Sequence, residues 1–563
     1  GLVAAYVDIN NDKLTDICVV SESRKELKLV YGGTETRLVQ FKSLVITDDN
    51  LSILGVIPGD YNGDGHVDIL ITLKDSNSNS NLVQIKIFWG DSENKFTSQN
   101  DIDGQVIDEP LLLDANADMV SDLFVTIANG TRSAKSYFSL NYSFRSYILA
   151  SSKPVKFPHS NAFVDLTGDG GADLFVTTLD TNGRIVFEVW QHLFSNYSLP
   201  NEYDNFEIGQ SAFADINGDG QQEHILPVCK VDNKRCIRSN ILVYFDKEWT
   251  EIFSDNNQFN FISSQAKYPN KPKCCFSYLN QPITLVLGDF NQDVYVDLVC
   301  VMYNVNHTVA AEAHILYGGP CTGKKCQNVR FQFSYKLTLP NTEGAFSASF
   351  YSIQNNGALD ILVSVASSNV SVRVYQNTGV NDASFVFIKF KIFLNLCCRN
   401  RRDKCTPMLG SSNVPGASVR YTSTNVMGGV QISSACQMTQ SSHLSLQLPY
   451  VIFGLGRLPN FIDTLTVSMP VPLLPTTPAS HSTWTMLIPN SKLYIIPYPM
   501  NDSSSWKNVL VVTPSRNIIS TAFVLLSTCI VVAITIIVLH CMERREDKQE
   551  KIREAHRFHF DAM

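Results

Sequence analysis

The chain has 563 residues, with 45 basic and 53 acidic side chains and a formal charge of −8. Only 17% of residues are charged, 44% are hydrophobic and 10% aromatic, which excludes a disordered chain and favours extensively buried sheet. The acidic balance also excludes a basic nucleic-acid footprint spread over the whole molecule.

From its first residues the chain repeats the pattern D-x-[NT]-x-D-x-x-x-[DE]. The first copy places Asp8, Asn10, Asp12 and Asp16 at positions 1, 3, 5 and 9. The second places Asp60, Asn62, Asp64 and Asp68 there, and the third Asp114, Asn116, Asp118 and Asp122. The fourth carries Asp165, Thr167, Asp169 and Asp173, the fifth Asp215, Asn217, Asp219 and Glu223, and the sixth Asp289, Asn291, Asp293 and Asp297. A decayed seventh copy starts at Ser352, with Gln354 and Asn356 in place of the polar ligands. Each copy leads into an apolar run of strand length, a polar turn and a second apolar run, as in DILITLKDSNSNSNLVQIKIFWG from Asp68. A period of roughly 50 residues holding about four short strands is what one propeller blade requires. The expected fold is therefore all-β: a seven-bladed β-propeller over residues 1–395.

The motif's spacing has a chemical reading. Oxygens at positions 1, 3 and 5, a backbone carbonyl at 7 and a carboxylate at 9 can converge on one hard cation, and an oxygen-only set selects calcium over zinc or copper. A single DxNxDG segment is often only a hydrogen-bonded turn; six copies in one register, each before a strand, favour Ca²⁺. Gly65, Gly170 and Gly220 stand at position 6, where the turn is sharp. Lys13, Met119 and Val294 replace glycine in the first, third and sixth copies, which predicts weaker binding there. The six loops hold 18 acidic residues, and six bound Ca²⁺ would turn the net charge to about +4 by ion charge alone.

Fourteen cysteines fit an oxidising compartment. Cys229 with Cys236, Cys321 with Cys326, and Cys398 (or its neighbour Cys397) with Cys405 are close enough to staple short loops, whereas Cys18 and Cys300 sit in strand-like runs as small hydrophobes. Glycosylation sequons occur at Asn50, Asn129, Asn141, Asn196, Asn306, Asn369 and Asn501.

Residues 396–512 lack the acidic motif and alternate apolar residues with Gly/Pro turns, as in PGASVRYTS and VIFGLG, which predicts a small β-sandwich. Then come 22 residues, Ile518–Leu539, with no Asp, Glu, Lys or Arg, long enough to cross the bilayer as a helix. A transmembrane helix is assigned to 518–541. The tail, 542–563, carries Arg544, Arg545, Lys548, Lys551, Arg553 and Arg557, so the positive-inside rule makes it cytoplasmic and the preceding residues external. All seven sequons lie on the external side. This orientation requires a signal peptide, and the opening GLVAAYVDIN, already strand-like, fits a mature chain from which one has been removed, or a truncated one.

Calcium-type D-x-N-x-D-G loops leading into strands at this period resemble the FG-GAP repeats of integrin α-subunits. Fragments such as GQSAFAD (Gly209–Asp215) and SNAFVD (Ser160–Asp165) keep only part of the Phe-Gly…Gly-Ala-Pro half. The order of repeats, QSSHLSLQLPYVIFGLG (Gln440–Gly456), IPNSKLYIIPYP (Ile488–Pro499), the single span and EAHRFHFDAM (Glu554–Met563) are similar to integrin-α FG-GAP repeat-containing type I membrane proteins. The module at 396–512 is similar to the one following FG-GAP repeats in cartilage acidic proteins. The resemblance implies a plasma-membrane glycoprotein, also shed or secreted, that modulates T-cell function through an extracellular or cell-surface protein partner.

Propellers also host enzymes, so a calcium-dependent hydrolase or lyase acting on extracellular glycans is the competing reading. No HExxH, GxSxG or dinucleotide fingerprint is present. GGPCTGKK from Gly318 lacks the Ser or Thr of a phosphate loop. The expectation is an interaction module, not an enzyme, with no catalytic residue assigned.

Overall fold

The computed structural model describes residues 1–560, except 34–38, 46–49, 76–79, 92–94, 97, 139–142, 150–152, 191–194, 255–257, 265–281, 306–310, 322–328, 354–355, 367–369, 379–382, 392, 395–407, 410–413, 426, 441–445, 458–460, 474–478 and 513–515. Each copy of the acidic motif is the eight-residue loop of an antiparallel hairpin. An apolar strand runs up to position 1, and the acid at position 9 opens the next strand. Leu2–Val7 thus pairs with Asp16–Val20, Leu51–Gly59 with Asp68–Asp75, and the end of Ser98–Leu113 with Asp122–Ile127. Ala162–Val164 pairs with Asp173–Leu179, Ala212–Ala214 with Glu223–Asp232, Val286–Gly288 with Asp297–Asn304, and Ala345–Tyr351 with Asp360–Ala366. The decayed seventh copy therefore keeps the geometry with only the position-9 acid, Asp360. Further antiparallel strands extend each hairpin outward. The 16-residue strand Ser98–Leu113 serves two neighbouring hairpins and joins them into one seven-stranded sheet.

The first strands of the hairpins pack side by side. Leu2–Val7 touches Leu51–Gly59, which touches Ser98–Leu113, which touches Ala162–Val164. Ala162 and Val164 share a buried cluster with Phe213, and Ala212–Ala214 touches Val286–Gly288, which touches Ala345–Tyr351. The last hairpin meets the first: Val3, Tyr6 and Ile17 cluster with Tyr351 and Leu362, and the Tyr6 hydroxyl lies 2.6 Å from Ser349 Oγ. The Tyr351 hydroxyl donates to the Thr15 carbonyl. This is the ring of sheets of a β-propeller, with each sheet burying one face against the next, since no sheet can bury both faces alone.

The second module is a sandwich of two four-stranded sheets. Ser384–Phe390 lies between Val451–Gly456 and Ser491–Ile496, with Lys507–Val512 at the edge. The other sheet runs Val430–Cys436, Ser418–Thr424, Ile462–Ser468, His481–Leu487. Val386, Ile388, Phe390, Val419, Phe453 and Leu465 lie in the core between them. Ser384–Phe390 was expected in the propeller, within 1–395, but it pairs with Val451–Gly456 and, in parallel, with Ser491–Ile496. The module therefore starts about 12 residues before the expected boundary at 396. FVFIKF alternates apolar residues as a blade strand would, and only its pairing distinguishes the two.

Residues Val512–Met563 form a separate unit. Its helix runs from Arg516 to Phe560, 45 residues, and within Ser520–Ala555 it holds a window of mean hydropathy 2.9. The helix continues from the expected span at 518–541 through most of the expected tail.

Candidate metal loops beneath the sandwich

The loops share one hydrogen-bonding plan. At position 9, a carboxylate oxygen accepts the N–H of position 2. The distance is 2.8 Å at Asp16, 3.0 Å at Asp68, 2.9 Å at Asp122, Asp173, Glu223 and Asp360, and 3.0 Å at Asp297. The second oxygen of Asp16, Asp68 and Asp297 accepts the N–H of Gly32, Gly90 and Gly318. Position 9, assigned from sequence as a metal ligand, is thus also the latch that closes the loop onto its sheet. At position 1, the carboxylate folds back over the turn: Asp215 accepts from Gly218 and Asp219 through Oδ1 at 2.8 and 3.2 Å, and from Gly220 through Oδ2 at 2.9 Å. Asp60 repeats this with Gly63, Asp64 and Gly65.

The backbone plan does not depend on glycine. Position 6 has φ of +84° at Gly65, +86° at Gly170 and +87° at Gly220, and also +75° at Lys13, +64° at Met119 and +87° at Val294. A β-branched residue at such a φ is strained, so the loop geometry is imposed by the surrounding bonds.

Asp215, Asp219 and Glu223 are the one carboxylate trio among the described residues whose ligand atoms all lie within 4.8 Å of one another. The longer glutamate side chain at position 9 favours this convergence. Burial pushes the Asp215 carboxyl up to about 6 and the Glu223 carboxyl up to about 9. Burial likewise raises Asp60 to about 7, Asp165 to about 6, Asp173 to about 8 and Asp297 to about 7, with other loop carboxylates adding repulsion. Buried acids facing one another favour a compensating cation. The hard oxygen donors of loop 5 fit calcium by this chemistry.

The sandwich docks on the loop face, and Asp12, Asp118, Asp169, Asp219 and Asp293 at position 5 stay exposed. Ser418 Oγ donates to Asp165 Oδ2 at 3.3 Å, the Ser434 N–H donates to Asp215 Oδ2 at 3.0 Å, and Gln222 Nε2 donates to the Ser434 carbonyl at 2.9 Å. Met119 of loop 3 joins the sandwich's hydrophobic core, the Leu473 N–H bonds the Ala115 carbonyl, and the Gly456 N–H bonds the Gln292 carbonyl of loop 6. In loop 1, the Asp8 carboxylate receives two lysine ammonium groups instead, from Lys389 at 2.9 Å and Lys391 at 3.2 Å. Beneath the sandwich, Gln440 spans the edge of the first inner strand: its Oε1 accepts the Tyr6 N–H and its Nε2 donates to the Tyr6 carbonyl. Neither the two lysines nor Gln440 had been singled out as site residues. The available signal was FIKFK, with two lysines two residues apart in an otherwise apolar run.

Cys229 and Cys236 form the expected disulfide across a hairpin. Cys321 is disulfide-bonded, while Cys326, Cys397, Cys398 and Cys405 lie outside the described residues. Cys18 and Cys300 are buried free thiols. Asn50, Asn129, Asn196 and Asn501 are exposed, and Asn141, Asn306 and Asn369 lie outside the described residues, as does Gln354.

Fold and loops together define an FG-GAP-type propeller carrying a sandwich module and one apolar helix. The family described as FG-GAP-like repeat matches residues 8–71, and that described as ITFG1, C2 domain matches residues 410–510. The T-cell immunomodulatory protein of Homo sapiens is 35% identical over 100% of this chain and 92% of its own length. That of Rattus norvegicus is 34% identical over the same shares, and protein linkin of Caenorhabditis elegans is 24% identical over 100% of this chain and 95% of its own length. The chain belongs to the T-cell immunomodulatory protein family. Among solved structures, BBS1N in complex with ARL6DN aligns over 67% of this chain and 92% of that chain, at 9% identity and a TM-score of 0.35, a likeness that carries no argument here.

Proposed function

We propose that the chain is a type I cell-surface glycoprotein whose seven-bladed propeller and sandwich act as one rigid interaction module, with calcium in the loops joining them. The observation that carries this reading is the trio Asp215, Asp219 and Glu223, converging on one point directly beneath a backbone N–H of the sandwich. In that place the metal is structural. It neutralises buried carboxylates and fixes the loops on which the sandwich rests, while loops 2, 3, 4 and 6 supply the same backbone frame with weaker convergence. Because the sandwich docks on the loop face, a protein partner is recognised on the opposite face or the outer strands. The relatives' name supports a partner on T cells or their neighbours. A glycan-cleaving role draws no support from these acids, since the Asp215 and Glu223 carboxylates are buried beneath the sandwich.

The test is partner capture by the full-length chain in detergent, with calcium and with chelator, alongside its melting curve. The reading predicts that chelator lowers the melting temperature and that partners bound in calcium are still recovered below the lowered melting point. Turnover of an extracellular glycan by the calcium-loaded chain would favour the enzyme reading instead.

A further inference from the structure

Loop 1 has the motif in full, Asp8, Asn10, Asp12 and Asp16, yet its positive charge comes from the chain itself. We propose that the ammonium groups of Lys389 and Lys391, seated on the Oδ2 oxygen of Asp8, supply the positive charge that loop 1 would otherwise take from an ion, making this loop a metal-free clasp that holds the sandwich to the propeller. The clasp stands on its own geometry; only its contrast with loops 2–6 rests on the calcium reading.

Three observations carry the inference. The first is strand geometry. Val386, Ile388 and Phe390 point into the sandwich core, so the alternate residues, Lys389 and the directly following Lys391, project from the other face, toward the propeller. The second is the set of oxygens they meet. Lys389 Nζ lies 2.9 Å from Asp8 Oδ2 and 3.2 Å from the Lys13 carbonyl, and Lys391 Nζ lies 3.2 Å from Asp8 Oδ2 and 3.1 Å from Asn11 Oδ1. Of the loop's ligand positions only position 1 meets the ammonium hydrogens, and positions 4 and 6 complete their contacts. The Asp8 and Lys389 side chains are both 0% exposed and that of Lys391 is 2% exposed, so water does not screen the charges. A divalent ion at the same carboxylate would face two buried ammonium groups at short range.

The third is charge. Formally, two ammonium groups bring the +2 that one calcium ion would bring to three carboxylates. The donors from the sandwich differ accordingly. On their position-1 carboxylates loops 4 and 5 receive neutral ones, the Ser418 hydroxyl and the Ser434 N–H. Arg420 packs its guanidinium against Gly220 of loop 5 and donates to the Asp219 carbonyl at 3.2 Å, a backbone oxygen and not a carboxylate.

The experiment counts calcium bound to the full-length chain in detergent by equilibrium dialysis against radioactive calcium. Asp8→Asn is expected to leave the count unchanged and D215N/D219N to lower it by one; a count lowered by one in Asp8→Asn overturns the clasp. K389M/K391M is expected to melt several degrees lower in chelator, then to regain that loss in calcium with one extra ion bound. If this variant does not fold, the Asp8→Asn count decides alone. A wild-type chain that binds no calcium removes the calcium reading of the other loops but not the clasp. The clasp then predicts that adding Asp8→Asn to K389M/K391M raises its melting temperature, by removing an unpaired buried carboxylate, and no rise overturns it.

Discussion

Loops 1 and 5 are the same motif with the same backbone, and they differ in what stands over them. Over Asp215 the sandwich places a backbone N–H at 3.0 Å; over Asp8 it places two buried lysines. A carboxylate motif therefore specifies a demand for positive charge and leaves its source open. An ion and a side chain can answer the same demand, and the choice is made by a segment nearly four hundred residues away.

Breaking loop 1 is expected to have the largest effect. Lys389→Met leaves Asp8 buried beside a single remaining ammonium, so its cost falls toward the lower end of the about 3–5 kcal/mol that a fully unpaired buried charge brings. Denaturant unfolding in chelator measures it; a loss below about 1 kcal/mol, the scale of a surface pair, would contradict the buried geometry. Loop 5 should respond less. On the calcium reading D215N/D219N removes one ion, worth about 1–2 kcal/mol at millimolar calcium for a site of roughly 10⁻⁴ M affinity. Its signature is that the loss appears in calcium and shrinks in chelator, whereas the Lys389→Met loss is present in chelator.

A third test separates loop geometry from charge. Val294, at φ +87°, is expected to gain about 1 kcal/mol on Val294→Gly by release of backbone strain, and Gly65→Val to lose about as much or more. Melting of the two variants side by side checks the opposite signs. The smallest effect lies outside the loops. His224 is bonded to the Tyr197 hydroxyl and Ser211 Oγ, stacks against Phe213, and is pushed down to about 3 by burial. The unfolded chain takes up this proton near pH 6.5, so the stability His224 contributes is present above that pH and is lost as pH falls toward 3. Between pH 7 and 6 the loss is about half a kcal/mol, and His224→Phe should flatten that part of the curve equally in calcium and in chelator.

The loops and their strands were legible in the sequence because position 9 must both close the turn and open the strand, which fixes an acid immediately before each apolar run. Glycine was a poorer guide: Lys13, Met119 and Val294 adopt the same positive φ as Gly65, Gly170 and Gly220, since the carboxylate at position 1 holds the turn whatever residue stands there. The limits of the sandwich were misread at Ser384–Phe390 because alternation reports a half-buried strand without naming its partners. The lysine clasp and the seating of the sandwich on the loop face were illegible for a stronger reason. They arise only when Lys389, Ser418 and Ser434 are docked onto residues distant in the chain, and no local pattern encodes that docking.

On the proposed reading calcium joins the propeller to the sandwich at loops 3–6. The melting curve of the full-length chain in detergent, recorded in millimolar calcium and in chelator, decides it. A clearly higher melting temperature is expected in calcium, with D215N/D219N recovering only part of that gain. Superimposable curves in the two conditions would contradict it.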